Sequence, residues 1–490
     1  MKIYNGYERL ARNYSLLSDE YEFSMSKGYA HSDREDDVAV FDVFFRKVPN
    51  GGGYAIMAGL DQIIPYIENL KFDERELEYF KNQGYDDEFI DYMRNFKFTG
   101  DIYAIPDGTP VFPNEPLITV KAPLAEAQVV ETAILAIVNG AMSHATGARR
   151  VIEAMPKDKD AIVMEFGARR ADGLEAAIDS SIYGIMAGCK GTSNAIAAQM
   201  LDMKAMGTHA HSWVSSFDSE YDAFMAYAKC YPDNCTLLVD TYDTLRSGIP
   251  NAIKVAKDYL IPNGHRLKGI RIDSGDLAYL SKEARKMLNQ AGLDDAVICL
   301  SNGLDDKKIE SLINQGAKFD SLGVGDNISK PNGNIGAVYK EVALEKDGVL
   351  VPKIKLSNDE VKITNPDYKK LYRAYDKETG LAICDVISRH NEKVSEDDLI
   401  IVDPTNYLKS TTISDFELVP LQKKIFDKGT LVYDDPDIME KQKYCNDMMA
   451  RIYPEVKRTE MPHKYYVDGT KDYVDFKNSL IEEHKKYVRK

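Results

Sequence analysis

Short apolar runs recur through the central part of the chain, separated by stretches long enough to hold helices. The runs lie at 161–166, 183–187, 204–206, 236–239, 269–272, 297–300 and 321–324. Runs of this length without polar alternation are typical of strands buried on both faces of a parallel sheet. Two intervening stretches, 277–291 and 307–315, have helical periodicity, and Asp305 precedes the second as an N-cap. The alternation predicts parallel βαβ units.

The flanking sequence follows a different pattern. On the N-terminal side, a strand is predicted at 39–45, helical periodicity at 74–96, and a long apolar helix at 125–145. On the C-terminal side, residues 335–430 read as short charged strands and hairpins, and residues 431–490 as a helical tail. A chain of 490 residues is long enough for two or three domains.

Polar, charged and glycine residues gather where each of the seven central strands is predicted to end. The segments are EFGARR (165–170), KGTSN (190–194), GTHAHSW (207–213), DTYDT (240–244), RIDSGD (271–276), SNGLD (301–305) and GVGDN (323–327). Seven strands within 160–326 favour a closed or nearly closed β/α barrel, with a doubly wound open sheet as the alternative. In a β/α barrel the carboxyl ends of the strands form the face that holds the active site. We therefore expect an α/β fold with its chemistry at this face.

Several of these residues suit an anionic ligand. Gly303, Gly323 and Gly325 leave backbone N–H groups open at strand-to-helix turns, where the helix dipole attracts phosphate, although a plain tight turn is the alternative for each. Arg169 and Arg271 offer planar, bidentate recognition of carboxylate or phosphate. For both arginines, a structural ion pair with a neighbouring aspartate is the alternative.

Aspartates stand beside these cations. Asp240, Asp243, Asp273 and Asp276 could hold Mg²⁺ through one or two carboxylates and leave coordination sites for a pyrophosphate. Helix capping is the alternative for Asp276, because a predicted helix follows it directly. Which aspartate contacts a metal stays open.

The histidines and one lysine offer reactive side chains. His211 has Asp240 of the next predicted strand as a carboxylate partner, and an imidazole oriented in this way can act as a base or a phosphoryl acceptor. A structural role is favoured for His209. Lys190 follows the second apolar run, where a Schiff-base aldolase could keep its nucleophile, but nothing obvious in the sequence desolvates it.

Composition narrows the class of protein. Lys plus Arg number 62 and Asp plus Glu 78, so the net charge is −16 and the pI near 5.1. This acidity disfavours a nucleic-acid or anionic-membrane surface, which needs excess cations. No apolar run reaches the roughly 18 residues of a spanning helix, and the first residues lack the apolar segment of a secretory signal. We therefore expect a cytoplasmic protein.

The cysteines agree with that location. Six are scattered through the chain without a CxxC pair, which indicates reduced thiols rather than a disulfide framework. A zinc site built on Cys230 and Cys235 is disfavoured by their spacing.

The central motifs, taken in order, resemble the nicotinate phosphoribosyltransferase family, a type II phosphoribosyltransferase family. The matching segments are EFGARR, KGTSN, GTHAHSW, LLVDTYDT, IRIDSGDL, SNGLDD and FDSLGVGDN, preceded by LLSDEYEFSM, AVFDVFFRKVPNGGGYAIMAGL and GTPVFPNEPLITVKAPLAEAQVVET. The resemblance covers about residues 12–480. The signature of type I phosphoribosyltransferases, two acidic residues at a strand end leading to a Thr-Gly loop, is missing. Its absence is consistent with a resemblance to a type II family.

The resemblance implies an irregular seven-stranded β/α barrel and an α/β sandwich built from N-terminal and C-terminal segments. The expected divisions are a sandwich segment at 1–140, the barrel with the active site at 141–330, a return segment of the sandwich at 331–430 and the helical tail at 431–490. The implied reaction joins nicotinate to phosphoribosyl pyrophosphate, giving nicotinate mononucleotide and pyrophosphate in NAD salvage. It is coupled to ATP, with Mg²⁺, through a phosphohistidine, and the implied assembly is a homodimer.

The resemblance also implies residue roles at the ring and at the coupling site. His211 would be the histidine that ATP phosphorylates, with Asp240 orienting it. Phe166 would stack on the pyridine ring, and Tyr21 would cover the other face from the partner subunit. Thr208 would line the same pocket.

The remaining implied roles concern the charged groups of the substrates. Arg271 would meet the nicotinate carboxylate or the ribose phosphate region, Arg169 would bind phosphate, and Asp273 would contact the ribose hydroxyls or Mg²⁺. Gly303, Gly323 and Gly325 would hold the 5′-phosphate.

Two positions bear on specificity. Relatives that use nicotinamide have an aspartate after the KGT motif, whereas this chain has Ser193, so no carboxylate repels an anionic ring substituent. Like charges at 4 Å in a partly buried site repel by roughly 4 kcal/mol, enough to select nicotinate. Asp326 follows the Gly-Val-Gly turn where several relatives have threonine, which leaves the role of its side chain open.

Other activities are compatible with the motifs. The alternatives are a nicotinamide phosphoribosyltransferase, a class I aldolase that uses Lys190, and a sugar-phosphate sensor without catalysis. The set of His211, Asp240, Arg271 and Asp273 argues against a sensor, which has no need of a histidine that can be phosphorylated.

Overall fold

The structure, a computed structural model, describes residues 13–32, 34, 36–156, 160–356, 363–406 and 408–484. The ends of the predicted N-terminal and C-terminal segments, and the first residues in which no secretory signal is predicted, lie outside this described part. The chain divides into two compact units. The discontinuous unit comprises Met1–Ser143 and Gly333–Lys490, and the central unit comprises His144–Asn332.

The N-terminal part of the chain contains both helices and short strands. The helices are α1 (Glu20–Ala30), α2 (Leu60–Glu68), α3 (Glu74–Asn82), α4 (Asp87–Arg94), α5 (Leu124–Val129) and α6 (Glu131–Glu153). The strands are β1 (Val38–Phe44), β2 (Ala55–Ile56), β3 (Asp101–Ala104), β4 (Pro110–Val111) and β5 (Ile118–Pro123). The strand predicted at 39–45 is confirmed as β1. The helical stretch 74–96 is two helices, because Asp86 begins a new one by accepting the N–H of Phe89 at 3.0 Å.

Elements of the central unit alternate strand and helix. Its strands are β6 (Ile162–Glu165), β7 (Gly191–Thr192), β8 (Thr236–Leu238), β9 (Gly269–Ile272), β10 (Val297–Ser301) and β11 (Ser321–Val324). Its α-helices are α7 (Leu174–Ala187), α8 (Ala195–Met200), α9 (His211–Ser215), α10 (Glu220–Cys230), α11 (Ile249–Val255), α12 (Leu277–Gln290), α13 (Asp306–Asn314) and α14 (Asp326–Ser329). The helices predicted at 277–291 and 307–315 are confirmed, and Asp305 caps the second by accepting the N–H of Lys308 at 2.7 Å.

The C-terminal elements are mostly strands. The strands are β12 (Val338–Lys346), β13 (Val349–Pro352), β14 (Lys369–Asp376), β15 (Ala382–Arg389), β16 (Leu399–Val402), β17 (Ser410–Ile413), β18 (Phe416–Pro420), β19 (Lys423–Asp427), β20 (Thr430–Leu431) and β21 (Val467–Thr470). The helices are α15 (Ile438–Ala450) and α16 (Lys471–His484). The segment 431–490 therefore contributes strands as well as the helices expected of a tail.

Two large sheets organise the discontinuous unit. One is antiparallel, in the order β13-β12-β1-β5-β3-β19-β20. The other has the order β17-β16-β21-β15-β14-β18, in which β21 runs parallel to β15 and the other pairs are antiparallel. In both sheets, strands that are distant in sequence become neighbours.

The continuous helical stretch Leu124–Glu153 is long and apolar enough to cross a membrane by length and composition alone, with a mean hydropathy of 1.3. About two thirds of its apolar window, 67%, is buried inside the protein. Burial in a protein core accounts for the same composition, so the stretch is weak evidence for a membrane span.

A six-stranded parallel sheet forms the core of the central unit, in the order β7-β6-β11-β10-β9-β8. Its buried strands carry the apolar runs that predicted them, including those at 236–239, 269–272, 297–300 and 321–324. The fold class predicted from the sequence, α/β with parallel βαβ units, is confirmed. The sheet is a half-barrel, so the expected seven-stranded barrel is not confirmed.

Two of the seven predicted strands are absent among the described residues. The run 183–187 is the last turn of α7, which is buried on all sides and ends at Gly188 with φ 126°. A helix buried all round has the same continuous apolar pattern as an internal strand. The run 204–206 is irregular backbone, and strand β7 lies earlier, at Gly191–Thr192.

Candidate active site

The carboxyl ends of the parallel strands in the central unit bring together several of the predicted site residues. Arg271 lies on β9 and connects three neighbours through its guanidinium group. Nε donates to Ser301 Oγ at 2.8 Å, Nη1 to Thr208 Oγ1 at 3.3 Å, and Nη2 to Asp273 Oδ1 at 2.8 Å. Its side chain is only 13% exposed. These hydrogen bonds fix the plane and direction of the guanidinium before any ligand binds.

Asp273 follows β9 and shares Oδ1 between Arg271 and the hydroxyl of Ser301. Burial acts to raise the pKa of this carboxyl, but the two hydrogen bonds and the charge of Arg271 hold the pKa below its ordinary value. Asp273 is therefore ionised at neutral pH. Its second oxygen, Oδ2, lies 4.0 Å from Nε2 of His211.

His211 begins α9 at the rim of this site, with a side chain that is 46% exposed. Its Nδ1 is hydrogen-bonded to the hydroxyl of Thr241 at 3.1 Å. Asp240 was the predicted partner of His211, at the end of β8. The contact does come from this strand end, but it is made by the next residue, Thr241. The arrangement leaves Nε2 facing the site and Asp273.

The prediction that Asp240 orients His211 disagrees with this geometry, because Asp240 forms neither a hydrogen bond nor an ion pair with that ring. Asp240 is 8% exposed, and its Oδ2 accepts from the N–H of Asp273 at 2.9 Å and the hydroxyl of Ser274 at 2.6 Å. It therefore holds the turn after β9. Its other oxygen, Oδ1, is buried and has no hydrogen-bond partner among the described residues.

Phe166 follows β6 and is held at both its backbone and its ring. Its N–H donates to the carbonyl of Val324 at 2.7 Å, and the Arg271 guanidinium carbon lies 5.5 Å from the ring centroid. A Cβ built on Gly323 would come within 2.4 Å of the ring. The geometry therefore gives Gly323 a packing role beside the phosphate role predicted for it.

Glu165 is a site residue that the sequence analysis did not single out. Its side chain is fully buried and accepts three hydrogen bonds: from the N–H of Gly167, from Ser181 Oγ at 2.8 Å and from Thr192 Oγ1 at 2.6 Å. Burial raises the pKa of this carboxyl, against these hydrogen bonds. The only signal in the sequence was a charged residue inside the apolar run 161–166, where that run enters the EFGARR motif. Glu165 fixes the backbone on both sides of Phe166 and the end of β7.

The other predicted binding residues line the same edge of the sheet. Arg169 lies in a one-turn helix after β6, exposed and without an ion pair among the described residues. Ser193 is also exposed, and its N–H donates to the carbonyl of Glu165 at 3.0 Å. Gly303 has φ +53°, a left-handed conformation that favours glycine. Asp326 lies 3.2 Å from Arg170 Nε, so that arginine offsets its charge.

Lys190 is exposed, and its N–H donates to the carbonyl of Val163 at 2.8 Å. A Schiff-base lysine is usually activated by desolvation or by a neighbouring cation. An exposed ammonium gains nothing from burial, so the geometry does not favour the aldolase alternative.

Tyr21 belongs to the discontinuous unit, on α1. Its side chain is 45% exposed and lines a pocket of about 610 Å³ in that unit together with Glu131. Burial, followed by the charge of Glu131 and a hydrogen bond to it, raises the pKa of the Tyr21 hydroxyl. The phenol therefore stays neutral at physiological pH.

The described residues contain no group of three or more His, Cys, Asp or Glu side chains arranged to hold a metal ion. Mg²⁺ rarely needs such a cage, because one or two carboxylates and the phosphates of a substrate suffice. The buried, unpartnered Oδ1 of Asp240 and the ionised Asp273 fit this sparse donor set.

Comparison with known proteins decides the family. The family models described as the nicotinate phosphoribosyltransferase N-terminal domain, family and C-terminal domain match residues 16–139, 162–358 and 368–477. The nicotinate phosphoribosyltransferase of Bacillus subtilis is 40% identical over 480 residues, which cover 97% of this chain and 96% of that protein. The chain belongs to the nicotinate phosphoribosyltransferase family. The family and enzyme class predicted from the sequence motifs are thus confirmed.

More distant members agree. The human nicotinate phosphoribosyltransferase is 28% identical over 513 residues, covering 92% of this chain and 94% of that protein. A crystal structure of human nicotinic acid phosphoribosyltransferase superimposes with a TM-score of 0.83 at 27% identity, covering 94% of this chain and 99% of that one. This human relative therefore shares the fold across nearly the whole chain.

Proposed function

We propose that this nicotinate phosphoribosyltransferase joins nicotinate to 5-phosphoribosyl 1-diphosphate at the carboxyl edge of its parallel sheet, and couples the reaction to ATP through His211. The products are nicotinate mononucleotide and pyrophosphate, as in NAD salvage. The observation that carries the proposal is the network in which Arg271 connects Thr208, Asp273 and Ser301 beside the ring of Phe166.

Nicotinate is the substrate that suits this network. Phe166 offers a fixed aromatic face for the pyridine ring, and Arg271 supplies a guanidinium beside that face for the carboxylate. Ser193 places a neutral hydroxyl where an aspartate would repel the carboxylate. The amide of nicotinamide would gain less from Arg271, because it carries no charge.

The phosphoribosyl group would lie along the remaining strand ends. Arg169 is exposed without an ion pair among the described residues and can meet a phosphate. Gly303 and Gly325 lie in the turns after β10 and β11, where their backbone N–H groups would bind the 5′-phosphate. Asp273, held ionised by Arg271 and Ser301, can accept from ribose hydroxyls and stabilise positive charge that develops at the anomeric carbon.

His211 is the phosphoryl acceptor in this scheme. Thr241 holds Nδ1, so Nε2 is the nitrogen open to ATP, and Asp273 stands 4.0 Å away to favour a positively charged ring. Attack of Nε2 on the γ-phosphorus forms a P–N bond and releases ADP. Hydrolysis of that bond then changes the affinity of the site for substrates and products, which is how ATP energy reaches the transfer step.

Mg²⁺ would supply charge neutralisation for the pyrophosphate. Asp240 Oδ1 and Asp273 are the protein oxygens that would hold it, directly or through water. In addition, Asp240 keeps Asp273 in place through the backbone N–H of Asp273.

A homodimer completes the proposal. Tyr21 is half exposed on the discontinuous unit, and in a dimer it would cover the second face of the nicotinate ring of the partner subunit. The proposed location is the cytoplasm, where all three small-molecule substrates would be available. Neither nucleic acid nor membrane is needed for the activity.

The test is formation of mononucleotide and pyrophosphate from nicotinate or nicotinamide, each with and without ATP, in the wild type and His211→Ala. We expect a strong preference for nicotinate, stimulation by ATP in the wild type and loss of that stimulation in the variant. His265→Ala is the matched control, because His265 is a partly exposed histidine of the same unit, hydrogen-bonded to Asp233. Equal stimulation in all three proteins would remove the role of His211, and equal use of nicotinamide would remove the proposed specificity.

A further inference from the structure

Strand β8 forms one edge of the parallel sheet. One buried backbone N–H of this strand points away from the sheet, where no strand in the described part of the chain can accept its hydrogen bond. The N–H of Val239, just after β8, donates to Arg271 O on β9 at 3.1 Å. Successive N–H groups of a strand point to opposite sides, so the N–H of Leu238 points away from β9 to the open edge. Leu238 is 1% exposed, so water does not satisfy this donor.

The imidazole of His209 takes the place of the missing strand. Its Nε2 accepts from the Leu238 N–H at 3.2 Å, and its Nδ1 lies 3.3 Å from the carbonyl of Ala210. The ring is 8% exposed and packs edge-on against Tyr227 at a centroid distance of 4.8 Å. Burial, with the charge of Arg271 as a smaller cause, lowers the pKa of His209 to about 4, so the ring is neutral and Nε2 keeps its lone pair.

The segment that carries His209 also bonds to the opposite edge of the sheet. The N–H of Met206 donates to the carbonyl of Thr192 on β7 at 2.8 Å. Irregular backbone thus bridges β7 and β8, through a main-chain bond at one end and an imidazole at the other. Thr208, whose hydroxyl accepts a hydrogen bond from Arg271, lies between these two anchors in the sequence. His211 follows the second anchor by two residues.

We infer that His209 is a positioning residue for the reaction: its imidazole anchors the segment 206–211 to the edge of β8 and thereby sets Thr208 against Arg271 and His211 at the rim of the site. The inference rests on the proposed function for the roles of Arg271 and His211. It assigns to His209 no contact with substrate. The anchoring requires an acceptor atom at the position of Nε2, and a side chain other than histidine that supplies one would serve.

Three variants separate this requirement from simple packing. His209→Gln offers a side-chain carbonyl as an acceptor, whereas His209→Leu and His209→Met fill the space without one. We expect His209→Gln to keep kcat/KM for nicotinate within about threefold of wild type and the apolar variants to lose at least about tenfold, which is roughly 1.4 kcal/mol. His265→Leu is the control and should leave kcat/KM unchanged, since His265 is a partly exposed histidine of the same unit that bonds to Asp233.

Trp213 reports the position of the segment without depending on activity. It is the single tryptophan of the chain, lies on α9 with His211, and donates Nε1–H to the carbonyl of Ala223 at 3.0 Å. Acrylamide quenching of Trp213 should rise in the apolar variants and stay at the wild-type value in His209→Gln. Wild-type activity and quenching in the Leu and Met variants would overturn the inference, as would equal losses in all three.

A measurement on the wild type covers the case in which the apolar variants do not fold. Nitrogen-15 labelling of the 8 histidines should show one ring that is neutral, protonated at Nδ1 and hydrogen-bonded at Nε2, and this signal should disappear in His209→Gln. A ring protonated at Nε2 would contradict the inference. If the wild type lacks ATP stimulation or nicotinate preference, the proposed function fails, whereas the quenching and the nitrogen-15 signal still decide the role of His209.

Discussion

The ring of Phe166 lies against Gly323, so closely that a Cβ on that glycine would come within 2.4 Å of Cδ2 and 2.6 Å of Cε2. Real Cβ atoms do not approach other atoms at such distances, so any side chain at position 323 must move the ring. Arg271 lies over the same ring, at 5.5 Å from its centroid. The lack of a side chain at Gly323 on β11 thus determines the position of the Phe166 ring in the site.

Gly323→Ala should therefore raise the KM for nicotinate by roughly fivefold, because a displaced ring loses a stacking contact worth about 1 kcal/mol. Steady-state kinetics with nicotinate as the varied substrate measures this. Gly28→Ala is the control, because a Cβ there meets nothing within 4 Å. An unchanged KM in Gly323→Ala would show that Phe166 does not carry the ring.

Arg271→Lys should lower kcat/KM by about 100-fold although the charge is kept. A lysine cannot reproduce the fixed fork that joins Ser301, Thr208 and Asp273, and loss of such charge-assisted bonds costs about 3 kcal/mol. Arg266→Lys, at an exposed ion pair with Asp295, should leave activity unchanged. Equal activities in the two variants would mean that charge alone suffices at position 271.

Glu165→Ala should lower the free energy of unfolding by about 2–4 kcal/mol, because it leaves the N–H of Gly167 and the hydroxyl of Thr192 buried without an acceptor, whereas Ser181 keeps the carbonyl of Ala177. Urea unfolding measures the change. Glu165→Gln keeps one side-chain oxygen and should lose less. Glu283→Ala, which removes only an ion pair with Lys286, should stay within about 0.5 kcal/mol of wild type. A neutral Glu165→Ala would mean that those donors find other acceptors.

Glu22, on α1, gives the discontinuous unit a dependence on pH. Burial is the main cause that raises the pKa of its carboxyl from 4.5 to about 7, although the hydroxyls of Ser18 and Thr132 donate to it and lower the pKa. Between pH 4.5 and 7 the folded protein binds more protons at this site than the unfolded chain, so its contribution to stability falls as pH rises.

Glu22→Gln cannot ionise and should escape that loss. The free energy of unfolding of the variant relative to wild type should rise by about 1–3 kcal/mol from pH 5 to pH 8. Urea unfolding at the two pH values measures the difference. A relative stability that falls or stays constant over this range would contradict the raised pKa of Glu22.

The sequence predicted the positions of five central strands to within one residue at each end, because each is a short apolar run bounded by a polar turn. It predicted strands at 183–187 and 204–206 wrongly for two different reasons. A helix end buried on all sides has no polar face to reveal its period. The segment 204–206 bonds to β7 through one main-chain hydrogen bond, and the His209 ring that follows it bonds to β8 at the opposite edge of the sheet. No periodicity in the sequence encodes these two contacts.

Candidate residues were predicted by their position at strand ends, and that reasoning reached Arg271 and Asp273 because parallel strands end at one edge of a sheet. His211 was predicted at the end of a strand at 204–206 that is irregular backbone, and this backbone still brings its ring to 4.0 Å from Asp273. It could not predict which carboxylate faces His211. Asp240 follows β8 and Asp273 follows the neighbouring strand β9. Only the side-chain geometry shows that Asp273 is the one next to the His211 ring. Glu165 was missed because its partners are supplied by separate elements, with Ser181 on α7 and Thr192 on β7.

The most direct test of the account is to locate phosphate on the protein after incubation with ATP. Peptide mass spectrometry under alkaline conditions should find acid-labile phosphate on His211, and nicotinate with phosphoribosyl pyrophosphate should accelerate its loss. His211→Ala should carry no such phosphate. A phosphate on another residue, or none in a wild-type protein whose turnover ATP stimulates, would contradict the role of His211.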